Sequence, residues 1–189
     1  MGLLNIPSTP PTPPTPSPRQ AHQGRVIITP DDIPEHGASL GQTRTTEEQL
    51  HTAALLNERT NQHQELIRRI VSLLRDSGQA GEIRVSEDAF DIAATIPARG
   101  EVLLIEAKTI RNDALAQSRI ALGQILFYEH FDIHNMAEGR TIRRIVAFDD
   151  EPGHQVRGFL DAYDTSCLVI STKQIIAPDG YEDCFSTSN

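Results

Sequence analysis

Tryptophan is absent from this 189-residue chain, and lysine and cysteine each occur only twice. Cys167 and Cys184 form no CxxC pair, which argues against a structural zinc site and leaves a reduced, cytoplasmic chain as the expectation. No apolar run approaches the ~20 residues needed to cross a bilayer, so no membrane role is expected. The start, MGLLNIPSTP, has neither a basic opening nor a long apolar stretch and does not read as a secretory signal. A Gly-rich phosphate loop, a GxSxG turn and a Ser-His-Asp order are all missing, which removes the common nucleotide-binding and serine-hydrolase readings. Positive charge is also short. The formal net charge of -9 is awkward for a nucleic-acid binder, whose phosphate contacts need Lys and Arg. A metal site concentrates carboxylates, however, and basic residues can gather on one face.

The scarcity of lysine is informative. Fifteen of the seventeen basic residues are Arg, so an indifferent basic position would be filled by Arg. Lys108 therefore marks a place where a compact, deprotonable ammonium is wanted.

Composition divides the chain into three. Residues 1–43 form a first region in which seven of the twelve prolines lie at or before Pro18. Such a segment cannot bury a core and reads as a disordered or semi-rigid tail, one that a protein partner could take up as a proline-rich ligand. VIITP (26–30) has the pattern of a short strand. Residues 44–178 read as one α/β domain, and residues 179–189 as a C-terminal tail. Within the domain, Thr46 with Glu47 and Glu48 opens a helix, and Leu50, Ala54, Leu55, Leu66, Ile70, Leu73 and Leu74 recur at helical steps. Gly78 stops it, and the stretch is long enough to be one helix or two with a break near Asn57–Asn61. EIRVS (82–86), FDIAATI (90–96) and EVLLIEAK (101–108) read as strands, and residues 114–131 as an apolar helix. IRRIVAFD (142–149), HQVRGFLDAYD (154–164) and CLVIST (167–172) follow as strand, helix and strand. The order α-β-β-β-α-β-α-β implies a mixed sheet flanked by helices.

The chemistry concentrates at the end of 101–108. Side chains two apart in a strand share a face, so Glu106 and Lys108 project together at the end of an otherwise apolar run. Charged groups in such a place need partners or a metal. If 90–96 and 101–108 form a hairpin around the Pro97–Gly100 turn, Asp91 falls opposite residue 106 or 107. Asp91 and Glu106 then offer hard oxygen ligands suited to Mg²⁺ or Mn²⁺, and the Ala107 carbonyl is a further candidate ligand. Lys108 is placed to orient or deprotonate a water, or to stabilise a pentavalent phosphorus.

DIAATIPARGEVLLIEAK resembles the D-x(n)-(D/E)-x-K core of the PD-(D/E)xK (restriction-endonuclease-like) nuclease superfamily, its acids fifteen positions apart. RIALGQILFYEH resembles the Q-xxx-Y motif carried by many members on the following helix, here Gln124 and Tyr128, which lie on one helix face. The resemblance covers about residues 59–172. It departs from the pattern in one respect, since Asp91 follows Phe90 rather than a proline. It implies an αβββαβ core and a divalent-metal-dependent endonuclease acting on nucleic acid, DNA rather than RNA, in restriction, repair or defence. Its catalytic residues would be Asp91, Glu106, Lys108, Gln124 and Tyr128. Some members add an acid from the first helix. Here His63 shares the face of Leu66, Ile70 and Leu74 while Glu65 points away, so His63 is the candidate, with Glu58 the alternative if the helix breaks. Arg59, Arg111 and Arg119 are candidate nucleic-acid contacts, and Arg68, Arg69, Arg140, Arg143 and Arg144 join them more loosely.

Each residue also has a plainer role. Glu106 and Lys108 form an ordinary strand-end ion pair, Asp91 a polar edge position, Gln124 and Tyr128 a hydrogen-bonded core pair, and His63 a satisfied core histidine. His130 and His134 have i, i+4 spacing but no evident third metal ligand. Two further accounts follow: a catalytically inactive subunit of the same fold serving as a binding or scaffold module, and an unrelated α/β domain in which Asp91, Glu106 and Lys108 lie far apart. The chain carries no separate DNA-reading module, so specificity would come from a partner, a homodimer or the shape of the substrate.

Overall fold

A computed structural model describes residues 27–28, 47–86, 89–110 and 113–186, with side chains described from residue 58 onward apart from Arg59. The proline-rich segment, the remainder of VIITP, Thr46 and Arg111 lie outside the described residues, as does the Arg59 side chain.

The elements are β1 (Ile27–Ile28), α1 (Glu47–Asp76), β2 (Ile83–Ser86), β3 (Ile92–Ile96), β4 (Glu101–Lys108), α2 (Ala114–Phe131), α3 (His134–Ala137), β5 (Thr141–Phe148), α4 (His154–Asp161), β6 (Thr165–Ile170) and β7 (Ile175–Ile176). The seven strands form one mixed sheet in sequence order. β1 to β4 are antiparallel neighbours, β4, β5 and β6 run parallel, and β7 returns antiparallel. The two parallel steps are bridged by helices, as crossover connections require. No described helix is long and apolar enough to cross a membrane.

The alternation of β4 sorts its side chains onto two helical layers. Leu103, Ile105 and Ala107 pack with Leu66, Ile70, Val71 and Leu74 of α1. Val102 and Leu104 pack with Ala121 and Ile125 of α2 and with Val156 and Leu160 of α4. β4 is thus covered on both faces, and every residue up to Ala107 is buried. The hairpin from β3 to β4 turns through a 3₁₀ turn at Pro97–Arg99. It closes on Gly100 with φ +64°, a left-handed conformation that glycine adopts without strain.

The structure departs from the sequence reading at three places. The first helix does not break near Asn57–Asn61. It runs unbroken for 30 residues, because asparagine weakens a helix by well under 1 kcal/mol and no proline or glycine interrupts the stretch. The short α3 and β7 escape the sequence pattern, since each is too brief to show a period. Finally, residues 179–189 are not simply a tail, because Cys184 and Phe185 are buried in the α1 layer. The segment is clamped at the end of the sheet opposite Lys108. Tyr181 Oη donates to Glu101 Oε2 at 2.7 Å, Arg143 Nε donates to Glu101 Oε1 at 2.9 Å, and the Arg99 guanidinium stacks 4.7 Å over the Tyr181 ring while binding Asp183 at 2.7 Å. This accounts for a carboxylate at the buried start of β4. Burial works to raise the Glu101 pKa, but the bonds from Tyr181 and Arg143 outweigh it and hold the carboxyl below its ordinary value. Tyr181→Phe should therefore cost about 1 kcal/mol in urea denaturation at pH 7. The loss should shrink in acid as Glu101 protonates, and a deficit that does not depend on pH would mean the ring alone holds the segment.

Candidate functional site

Strand register assembles the site. Ile92 pairs with Ile105, which sets Asp91 level with Glu106, one of the two positions, 106 or 107, expected of a hairpin around the Pro97–Gly100 turn. Asp91 Oδ2 accepts the Ala107 backbone N–H at 2.7 Å. Its other oxygen, Oδ1, lies 3.3 Å from Nε2 of His63, which reaches over from α1. Both oxygens of Asp91 are thus fixed in direction, and each keeps lone pairs for a further partner. Lys108 Nζ donates to Glu106 Oε1 at 2.5 Å. On the α2 side of β4, Gln124 Nε2 donates to the Tyr128 hydroxyl at 3.2 Å.

The electrostatics are those of a site with one negative charge too many. Glu106 is only 3% exposed. Burial pushes its pKa up to about 7, the neighbouring Asp91 charge pushes the same way, and Lys108 offsets only part of this. His63 is drawn down by burial, but its bond to Asp91 and the charge there outweigh this, and its pKa rises. Burial raises the Tyr128 pKa as well, against the bond from Gln124, and the charges of Glu106 and Asp91 add to the rise. The electrostatic influence of both carboxylates therefore reaches the Tyr128 hydroxyl.

Among the described residues, no three His, Cys, Asp or Glu side chains are gathered closely enough to hold a metal by themselves. A cation here would be held by Asp91, Glu106, the Ala107 carbonyl and solvent. The donor set is all oxygen and suits a hard divalent ion such as Mg²⁺, which keeps several waters and takes one or two carboxylates. Two further observations agree with that fit. The one ammonium at the site bonds Glu106 and leaves Asp91 to His63 and a backbone N–H, and the Gln124 side-chain oxygen is buried without a hydrogen-bond partner beside the Tyr128 hydroxyl.

Asp91, Glu106, Lys108 and His63 thus come together at one end of β4, with Gln124 and Tyr128 on the adjoining helix. Arg119 is exposed on α2. Several other arginines are engaged within the fold rather than presented to a phosphate. Arg69 donates to the Ile170 and Ser171 carbonyls, Arg140 to the Met136 carbonyl, Arg143 to Glu101 and Arg144 to Glu129. His130 and His134 line a separate groove with Leu126, Glu129 and Ile142, whose carboxylate, Glu129, is taken by Arg144. Sequence reasoning missed Asp149, whose Oδ1 accepts the Ile110 N–H at 2.7 Å and ties down the chain just beyond Lys108. Its signal was its place directly after the buried strand β5, at the same end as Lys108.

Comparison with protein-family models, with curated proteins and with solved structures gives no match to this chain. The chemistry of the site therefore rests on its geometry.

Proposed function

We propose that this domain is a nuclease that hydrolyses phosphodiester bonds, in DNA rather than RNA, with Mg²⁺ or Mn²⁺ as cofactor, and that its core is of the PD-(D/E)xK kind. The observation that carries this reading is the meeting of Asp91, Glu106 and Lys108 at the end of one buried strand, next to the Gln124–Tyr128 helix. The topology supports it: an antiparallel β2–β3–β4 unit followed by a helix and a strand parallel to β4 is the arrangement expected of an αβββαβ core.

A divalent ion held by Asp91, Glu106 and the Ala107 carbonyl would supply Lewis acidity at the scissile phosphate. The chain's own residues do the rest. His63 and the Ala107 N–H hold Asp91 in one orientation, which fixes the ligand set before substrate arrives. Lys108 has three N–H donors and commits one to Glu106, so it retains donors for the attacking water and a phosphate oxygen. The Tyr128 hydroxyl and the Gln124 amide add neutral donors at the same place.

A second reading has its own supporting observation. Asp91 and Glu106 already have partners within the chain, as a catalytically inactive scaffold subunit would require. Incubation of purified protein with supercoiled plasmid, linear duplex, single-stranded DNA and RNA separates the two. Cleavage in Mn²⁺ or Mg²⁺ that stops with EDTA is expected, with nicking of the closed plasmid marking an endonuclease. No cleavage of any substrate, together with no heat on titrating Mn²⁺ in calorimetry, would leave the scaffold reading.

A further inference from the structure

Helix α2 is apolar on both sides. Ala121, Leu122 and Ile125 are buried toward the body of the domain. On the opposite side Ile120, Phe127 and Phe131 are 52%, 54% and 58% exposed, and the two phenylalanine rings lie 4.6 Å apart. At about 100° per residue, Ala116 and Gly123 fall in the same solvent-facing sector. Leu115 and Leu126, also exposed, flank it. These five large side chains expose roughly 500 Å² of apolar surface, toward the upper end of the largest patch a monomer ordinarily carries and a large part of the ~800 Å² per partner of a stable interface.

Three features identify the occupant as a second copy of this chain. The first is the spacing, which is self-complementary about a point between Gly123 and Gln124. When two such helices run antiparallel, Ile120 meets Phe127 of the other copy, Ala116 meets Phe131, and Gly123 sits at the crossing. A two-fold interface requires this, since residue i must meet j and j must meet i. The second is Gly123 itself. A glycine in mid-helix costs about 1 kcal/mol relative to alanine. Within one chain nothing lies within 4 Å of where its Cβ would be, so packing in the monomer gives no reason for it. Close approach of a second helix does. The third is charge. Each copy carries a formal charge of -9, yet α2 contains one carboxylate, Glu129, and Arg144 neutralises it. Two copies therefore meet little charge repulsion across this face.

We propose that the chain forms a two-fold symmetric dimer in which α2 packs antiparallel on α2 of a second copy, crossing at Gly123. This does not depend on the nuclease reading. Sedimentation equilibrium of the full chain tests it, with circular dichroism to confirm that each variant folds. The wild type should be a dimer at about 10–100 μM. Ile120→Lys and Phe127→Glu, both at exposed positions, should each weaken dimerisation by at least about 100-fold. An equimolar mixture of the two should regain it. The ammonium introduced by Ile120→Lys in one copy then faces the carboxylate introduced by Phe127→Glu in the other, while the unchanged Ile120 and Phe127 still meet across the axis. Gly123→Leu should keep its helix content and lose the dimer. A wild type that is monomeric throughout would leave the stripe to another occupant, such as segment 1–26, and overturn the proposal. A dimer indifferent to these changes, or variants that do not complement each other, would overturn it equally.

Discussion

Lys108→Ala is expected to lower metal-dependent DNA cleavage by roughly 10²–10⁴-fold while leaving the folded state intact at pH 6. Lys108 stands at the very end of β4 and is the least buried residue of that strand, and at pH 6 Glu106, its pKa already raised by burial, takes up a proton rather than remaining as a bare buried charge when the ammonium is removed. What is lost is an ammonium placed within 2.5 Å of Glu106. Lys108→Arg should not restore activity. A guanidinium is planar, larger and effectively never deprotonated, so it can replace the charge but neither the compactness nor the proton chemistry. Calorimetry provides the control: Mn²⁺ should still bind Lys108→Ala, because the proposed ligands Asp91, Glu106 and the Ala107 carbonyl all remain. Retained cleavage in Lys108→Ala would remove the residue from the chemistry and reduce its contact with Glu106 to a strand-end ion pair. Such a pair is worth little when exposed, and at the burial seen here desolvation offsets its attraction.

The parts of this fold legible in the sequence are those where one physical rule dominates. β4 reads as a strand because Val102 to Ile105 form an unbroken apolar run, and it proves to be covered by helices on both faces. Asp91 could be set against Glu106 because a tight turn at Pro97–Gly100 fixes hairpin register, and the period of two fixes the face. His63 could be assigned to the inner face of α1 because 3.6-residue periodicity is well marked from Leu66 to Leu74. Other parts depend on contacts between distant segments. Nothing local in YEDCF marks Phe185 as core, because its burial follows from the Tyr181–Glu101 bond and the Arg99 stack, which join residues some eighty positions apart. The looser arginine candidates show the same limit. Sequence shows their charge but not that Glu101, Glu129 and backbone carbonyls engage Arg143, Arg144, Arg69 and Arg140, half of the eight candidates. The apolar outer face of α2 was present in the sequence as an unusually apolar helix, but only the structure separates its covered side from its bare one.

Glu106→Gln should stabilise the metal-free protein by roughly 3 kcal/mol at pH 8, a gain that falls to within about 1 kcal/mol at pH 5. Burial is the main cause of a Glu106 pKa of about 7, against an ordinary value of 4.5. Between those two values the unfolded chain has released its proton while the folded chain still holds it. The wild type therefore loses stability as pH rises through this window, and above it carries the full cost of an ionised, buried carboxylate. Glutamine keeps the shape and cannot ionise, so the variant avoids that cost. Chemical denaturation in EDTA at both pH values measures the difference. Adding Mg²⁺ or Mn²⁺ should reverse the ranking by raising the Tm of the wild type far more than that of Glu106→Gln, since ligands that bind only the folded state stabilise it by mass action. If Glu106→Gln is instead less stable at pH 8, the ionised pair with Lys108 is a net support for the fold, and β4 does not hold this carboxylate at a cost for the sake of a cation. If it is more stable but indifferent to metal, the cost is real and the ligand is something other than a divalent ion.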